Sequence, residues 1–455
     1  MSTPKHDVAI IGAGVVGCAV ARELSRYELR AILLEARSDL CDGASKGNSA
    51  LMVNGYDLQE DTLERRLVMR GYQRYLAEAP ALGLPIQKIG AMMLAWTQEQ
   101  VERLNLIHAR ARKLSHHDVQ LVDPSEVYVR SPAIGQGLMA ALWAPSEAIV
   151  DPFSTAYAYA LDAHQNGVAY RNHSPVLAAS READGWRLAL PESELSARIV
   201  INCAGLGGDR VDALAGFHDF EIRPIRGQYI LFDKSARGLL DFIALPTPNE
   251  TSRGILLTPT IFGNLLVGPT AEPIADISDS ATTAEGLALL ASAAKQVLPS
   301  ILEHQVTTSF AGIRPGTEER DYRIFNRLQE SWVTIGGIRS TGLSGSLGIA
   351  EYVADLVAGK MMGARRKGAL KQVSVPDLSA TAPRPWHGQS SLEADREIIC
   401  HCEQVTRGEI IRAFESPLPP RSRKALKRRT RAMFGRCQGF YCSARVEQLY
   451  RDLAR

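Results

Sequence analysis

Hydrophobic residues along this chain change their spacing from one stretch to the next, and the changes mark elements. Residues 7–11 form a short apolar run of the kind buried on both faces of a sheet. After three spaced glycines, Val16, Ala19, Val20 and Leu24 recur at helical spacing, and Ala31–Leu34 is a second apolar run ending in Glu35. Together they predict a compact βαβ opening. The windows 62–79, 97–114, 151–166 and 283–298 predict helices, the first two amphipathic. Residues 198–203 and 331–335 predict buried strands, the latter followed by a glycine-rich loop and a helix to about Met361. Between about 220 and 270 the pattern shortens to β runs such as 228–232 and 255–257. From about 363 to 392 the periodicity stops, and Pro376, Pro383 and Pro385 stand among Ser, Thr and Ala, which predicts a linker. There is no internal repeat.

A length of 455 residues implies several domains and an ample core. The net charge of +2 gives no global field toward nucleic acid or an anionic membrane. No apolar run approaches the roughly 18 to 20 residues of a membrane span. The apolar stretch 8–21 follows Asp7, contains glycines and leads into Arg22 and Glu23 without a small-residue cleavage site, so it reads as strand and helix rather than signal peptide. A cytoplasmic protein is expected.

The first candidate chemistry is Gly12-Ala13-Gly14-Val15-Val16-Gly17. Gly12 permits the tight turn, Gly14 lets the backbone approach a pyrophosphate, and Gly17 lets the helix pack on the strand. Glu35 ends the second strand, where its carboxylate can accept from ribose hydroxyls, with Ala36 and Arg37 beside it. Strand, helix, second strand and acid in this order predict dinucleotide binding.

Further segments decide between FAD and NAD by resemblance. Asn202-Cys203-Ala204-Gly205-Leu206 and the run from Gly336 through Arg339, Gly342, Leu343 and Ser344 to Ala350 resemble the second and third flavin-binding segments of the D-amino-acid-oxidase superfamily. Gly43-Ala44-Ser45-Lys46-Gly47-Asn48-Ser49-Ala50, Arg226-Gly227-Gln228-Tyr229, Gly268-Pro269-Thr270 and Gly312-Ile313-Arg314-Pro315 resemble its glycerol-3-phosphate and L-2-hydroxyglutarate dehydrogenase branch. The resemblance spans essentially the whole chain. It implies an α/β (α+β overall) fold: a Rossmann-like FAD-binding domain from 1–80, 145–218 and 308–362, an inserted β-rich substrate domain from 81–144 and 219–307, and a linker at 363–395. Ser45, Asn48, Ser49, Ala204, Gly205, Gly312, Arg339, Gly342, Leu343 and Ser344 are then expected at the FAD.

Seven cysteines are present, and four of them, Cys400, Cys402, Cys437 and Cys442, crowd into the C-terminal 56 residues. Four thiolates can hold Zn²⁺ or a [2Fe–2S] cluster, and neither pair has the C-x2-C spacing usual for structural zinc. Thr406-x-x-Glu409 predicts a capping box starting a helix behind the first pair, and Ser443 a second helix beside Cys442. The segment 429–442 resembles the second half of bacterioferritin-associated-ferredoxin-like domains. That resemblance implies a small helical [2Fe–2S] domain at 396–455, with the four cysteines as ligands. Between the pairs, 421–431 holds seven basic residues. It reads either as a solvated face or as a docking patch for an acidic electron partner; without interleaved aromatics it does not suggest nucleic acid.

The resemblance further implies hydride transfer from a small anionic substrate to FAD. Arg314 is expected at the substrate anion, with Tyr229 and Arg226 as further candidates. Relatives that oxidise hydroxy acids often carry a histidine where this chain has Val53, so an amino-acid or secondary-amine dehydrogenase stays open, as does an electron-transfer subunit of a larger complex. Electrons are expected to leave through the cluster to an accepting protein or companion subunits.

Overall fold

The computed structural model describes residues 5–248, 254–361, 364–384 and 392–454. Pro385 and the start of the expected linker at Gly363 lie outside them.

The N-terminal run forms the strand Lys5–Ile11, central in an eight-stranded sheet. It pairs in parallel with Ala31–Leu34 on one side and Ser193–Asn202 on the other, and Trp332–Gly336 adds in parallel beyond. Side chains alternate along a strand. Val8, Ile10 and Leu33 therefore enter one core with the helices, while Ala9, Ile11 and Leu34 enter a second with Trp186, Leu188 and Trp332. This double burial is why the strands read as unbroken apolar runs rather than alternating ones. Val15–Leu24, Leu63–Glu78, Pro152–Gln165 and Gly342–Lys360 supply the first core's helices, within two residues of their expected bounds. Among the described residues no helix is long and apolar enough to cross a membrane.

A second, nine-stranded sheet is built on the long antiparallel pair Arg223–Phe232 and Val306–Gly316. Its register sets Ile225 opposite Arg314, Gly227 opposite Gly312 and Tyr229 opposite Phe310. A core of Phe232, Phe242, Leu257, Leu265 and Leu290 lies beneath it.

Residues 364–384 are a strap rather than a free tether. Lys371, Val375 and Ala380 donate their N–H groups to Asn166 Oδ1, Leu82 O and Ile261 O, and Val375 and Leu378 are buried. The C-terminal unit is a two-stranded turn, Ile398–Cys400 with Val405–Thr406, and the helices Arg407–Glu415, Arg423–Thr430 and Ser443–Leu453. The expected capping box is present: Thr406 Oγ1 accepts from Glu409 N at 3.1 Å, and Glu409 Oε2 accepts from Thr406 N at 2.8 Å.

The basic run 421–431 divides: Arg421, Arg423 and Lys424 are exposed, as a solvated face would be, and other members face inward. Arg428 and Arg429 turn inward onto the first unit, pairing with Asp42 at 3.1 Å and Asp39 at 2.7 Å. The Arg429 guanidinium also lies over the Tyr157 ring, and Phe434 stacks on Phe153. These arginines are spent on an internal boundary and are not free for an external partner.

Candidate active site and cluster site

Four stretches distant in sequence meet around the first glycine turn. Gly12 has φ +103°, and a Cβ there would stand 2.6 Å from Cys203 O, so the turn can be made only by glycine. Glu35 is buried and accepts from Ala13 N at 2.9 Å and Arg37 N at 2.8 Å. Burial pushes its carboxyl above the usual carboxylate range, and the two N–H groups work against that. Each oxygen keeps a further lone pair for a ribose hydroxyl. Ala36 and Arg37 are exposed beside it.

Ser45 Oγ accepts from Val15 N at 3.0 Å, tying the 44–49 loop to the helix start near Gly14; Gly17 is buried in the same helix. Asn48 shapes this loop, donating to Ser45 O and accepting from Ala50 N, and Ser49 is half-buried next to it. Ala204 N donates to Asn202 Oδ1, and Gly205 follows at φ +56°. Gly47 and Gly312 touch backbone to backbone: a Cβ on Gly312 would overlap Gly47 O. Ser344 Oγ accepts from Val53 N at 2.9 Å, so the helix Gly342–Lys360 faces the same loop region, with Arg339, Gly342 and Leu343 half-buried at its start. Glycines, helix starts and close backbone approaches thus gather as a cradle of the kind that a dinucleotide's phosphates need.

Sequence reasoning missed what steadies that helix start. Thr341 Oγ1 donates to Glu64 Oε1 at 2.6 Å and is within 2.8 Å of Tyr322 Oη. The signal was weak, because these residues belong to no contiguous motif.

The strand register sorts the substrate candidates. Ile225, Gly227, Tyr229, Phe310, Gly312 and Arg314 share one face of the long strand pair, the face that meets Gly47. Arg314 is half-buried there and donates from Nη2 to Thr270 O at 3.1 Å; among the described residues it has no carboxylate partner. Tyr229 is buried on that face with its ring stacked on Phe310 at 4.8 Å. Arg226 points to the other face, where Glu272 at 2.9 Å and Asp279 at 2.8 Å neutralise it. Arg226 thus stands apart from Arg314, held in an ion pair with two carboxylates. Val53 offers only an apolar side chain, and its N–H is taken by Ser344.

In the C-terminal unit Cys400, Cys402, Cys437 and Cys442 line one cavity with His401 and Tyr441. Cys402 has Cys437 as a neighbour, and Cys442 has Cys400. Among the described residues no group of three or more His, Cys, Asp or Glu side chains gathers as a site for a single metal ion. Four thiolates around one cavity match the ligand number of a [2Fe–2S] cluster. Cys442 is pushed up to about 12 by burial, whereas the backbone N–H of Tyr441 holds Cys437 below the ordinary thiol range.

Residues 7–356 match the family described as FAD dependent oxidoreductase. A glycerol 3-phosphate dehydrogenase of Caloramator mitchellensis is 32% identical over 452 residues, 98% of this chain and 94% of that one. This chain belongs to the FAD-dependent oxidoreductase family. Its C-terminal residues 398–451 match the BFD-like [2Fe-2S] binding domain, so its cofactors are FAD and a [2Fe–2S] cluster. One subunit of the anaerobic glycerol-3-phosphate dehydrogenase of Escherichia coli K12 is 26% identical over 497 residues, covering 97% of this chain and 87% of that one. Among solved structures, a dithionite-reduced L-alpha-glycerophosphate oxidase from Mycoplasma pneumoniae with FAD bound superposes with a TM-score of 0.76 at 27% identity, covering 82% of this chain and 99% of that one. The mixed α/β fold expected of this oxidoreductase family is the fold observed.

Proposed function

We propose that this oxidoreductase dehydrogenates a small anionic alcohol of the glycerol-3-phosphate type and passes the electrons through its cluster to an accepting protein. The observation that carries this reading is Arg314, a half-buried guanidinium without a carboxylate partner among the described residues, on the strand face that meets the flavin loop at Gly47. A sheltered cation lacking a counter-ion is costly unless a ligand supplies the anion. Its planar fork suits a phosphate or carboxylate.

Bound FAD supplies a two-electron acceptor. This chain's residues hold and orient the substrate. Arg314 takes the anionic end, steadied by Thr270 O, while the stacked Tyr229 and Phe310 give an apolar wall that keeps water from the reacting carbon. Residue 53 offers no base, so the hydroxyl proton leaves through another group. The full-length likeness to a glycerol 3-phosphate dehydrogenase supports glycerol phosphate over other hydroxy acids. The Escherichia coli relative is one chain of a larger enzyme, which supports companion chains as acceptor.

Val53 itself favours a second reading, an amino-acid or secondary-amine dehydrogenase, because an amine can shed its proton before binding. The deciding experiment is anaerobic: oxidised holoprotein is mixed in turn with glycerol 3-phosphate, 2-hydroxyglutarate, proline and glycine while the flavin colour is followed. Bleaching by glycerol 3-phosphate is expected. Bleaching by an amine alone would replace this reading with the second, and bleaching by none would favour a pure electron-transfer role.

A further inference from the structure

The residue following the ligand Cys402 is Glu403, whose side chain is only 3% exposed. Two cations hold its carboxylate. Arg431 Nε donates to Oε2 at 2.9 Å from within the C-terminal unit, and Lys234 Nζ stands 3.3 Å from Oε1 across the boundary with the nine-stranded sheet. The Arg431 guanidinium, itself 7% exposed, lies 3.6 Å from the ring centroid of Phe262, in the turn between Leu256–Pro259 and Leu265–Gly268. Arg431 caps the helix Arg423–Thr430 with φ +66°, a conformation a non-glycine residue keeps only where its surroundings hold it. Glu403 is equally constrained. A Cβ at Gly435 would stand 2.2 Å from Cys402 Cβ and 3.3 Å from Glu403 Oε1, so carboxylate, ligand and the loop toward Cys437 are packed on one another.

We propose that the Glu403–Arg431 pair sets the reduction potential of the [2Fe–2S] cluster while fixing the cluster unit against the substrate sheet. This deepens the proposed electron exit and rests on that reading only for its purpose, not for its test.

Reduction adds one electron to the cluster, converting one ferric iron to ferrous, and a fixed charge nearby acts differently on the two states. The Glu403 carboxylate beside Cys402 opposes the added electron; the Arg431 cation, with Lys234 on the other oxygen, offsets that opposition. Both are buried, so salt screens them little. Apolar side chains would hold two units together as well as an ion pair does. A charged pair at this place has an electrostatic use that an apolar pair lacks.

The test is a dithionite titration of the holoprotein through redox dyes, following the visible spectrum and the electron-spin signal of the reduced cluster. Iron and acid-labile sulfide per chain are measured alongside. No substrate takes part, so a wrong substrate assignment leaves the result standing. Arg431→Ala is expected to lower the cluster midpoint, because it leaves the carboxylate only Lys234 of its two cations. Glu403→Gln, of the same shape, is expected to raise it, and Arg431→Lys to stay near the wild type. Opposite shifts for the two partners support the proposal. Unmoved midpoints at full cluster content, or shifts in the same direction, overturn it. Should Arg431→Ala lose its cluster, Glu403→Gln decides alone: an upward shift supports the proposal and no shift overturns it.

Discussion

Arg314 lies over Gly227 of the neighbouring strand, so closely that a Cβ at position 227 would stand 2.8 Å from Arg314 Nη2. The missing side chain is the space in which the guanidinium rests, and Thr270 O fixes its angle. Removing the cation and removing the space should therefore both be felt by the substrate. Arg314→Ala is expected to cost about 2 to 4 kcal/mol of substrate binding, roughly 30- to 1,000-fold in KM. Gly227→Ala, which displaces the arginine and also presses on Pro269 Cβ at 2.8 Å, is expected to raise KM about tenfold, or about 1.4 kcal/mol. FAD content, read from absorbance per chain, stays at the wild-type value in both. An unchanged KM for Arg314→Ala would place the anion elsewhere.

Arg226 gives the contrasting case, one residue from Gly227 and on the other face. Its partners Glu272 and Asp279 are 33% and 43% exposed in their side chains, so solvent already weakens the pairs. Arg226→Ala is expected to lose about 1 to 2 kcal/mol of stability. Thermal unfolding would show it, while KM stays as in the wild type. A large rise in KM would return Arg226 to the substrate site.

The dinucleotide turn has no tolerance at Gly12. Gly12→Ala would force a side chain into a left-handed turn and into Cys203 O. The expected product is a folded chain without flavin absorbance but with its cluster colour intact, since the C-terminal unit has its own core around Ile410, Leu426 and Val446. Flavin retained at wild-type occupancy would mean that this turn does not carry the pyrophosphate.

Cys437→Ser separates the two cofactors from the other side. The serine is a poorer ligand, so the cluster's visible and electron-spin signals should be lost. Substrate should still bleach the flavin, because Arg314 and the glycine cradle lie in other units. Turnover with the physiological acceptor is then expected to stop. Wild-type turnover with that acceptor would show that electrons leave directly from the flavin.

What could be read from the sequence was local. The βαβ opening was legible because the strand Lys5–Ile11 supplies two cores with consecutive residues, and the capping box because Thr406 and Glu409 are three positions apart. The cysteines were legible by number and place. What escaped depended on register or on distant partners. Arg226 and Arg314 stand in similar Gly–Arg contexts, and only the pairing of Ile225 with Arg314 assigns them to opposite faces. The basic run looked like a surface because the acid that buries Arg429, Asp39, lies 390 positions away. The proline-containing stretch read only as a linker because its anchors, Leu82, Asn166 and Ile261, are contributed by other parts of the chain.

That strap bears on how the cluster works. With 364–384 pinned along the body and Arg428, Arg429 and Arg436 latched to Asp42, Asp39 and Asp233, the cluster unit is seated rather than swinging. A carrier that shuttled between donor and acceptor would be timed by diffusion and slowed by a viscous solvent. On the proposed electron exit, a seated one would make the internal hop a fixed-distance event, timed by driving force and separation alone.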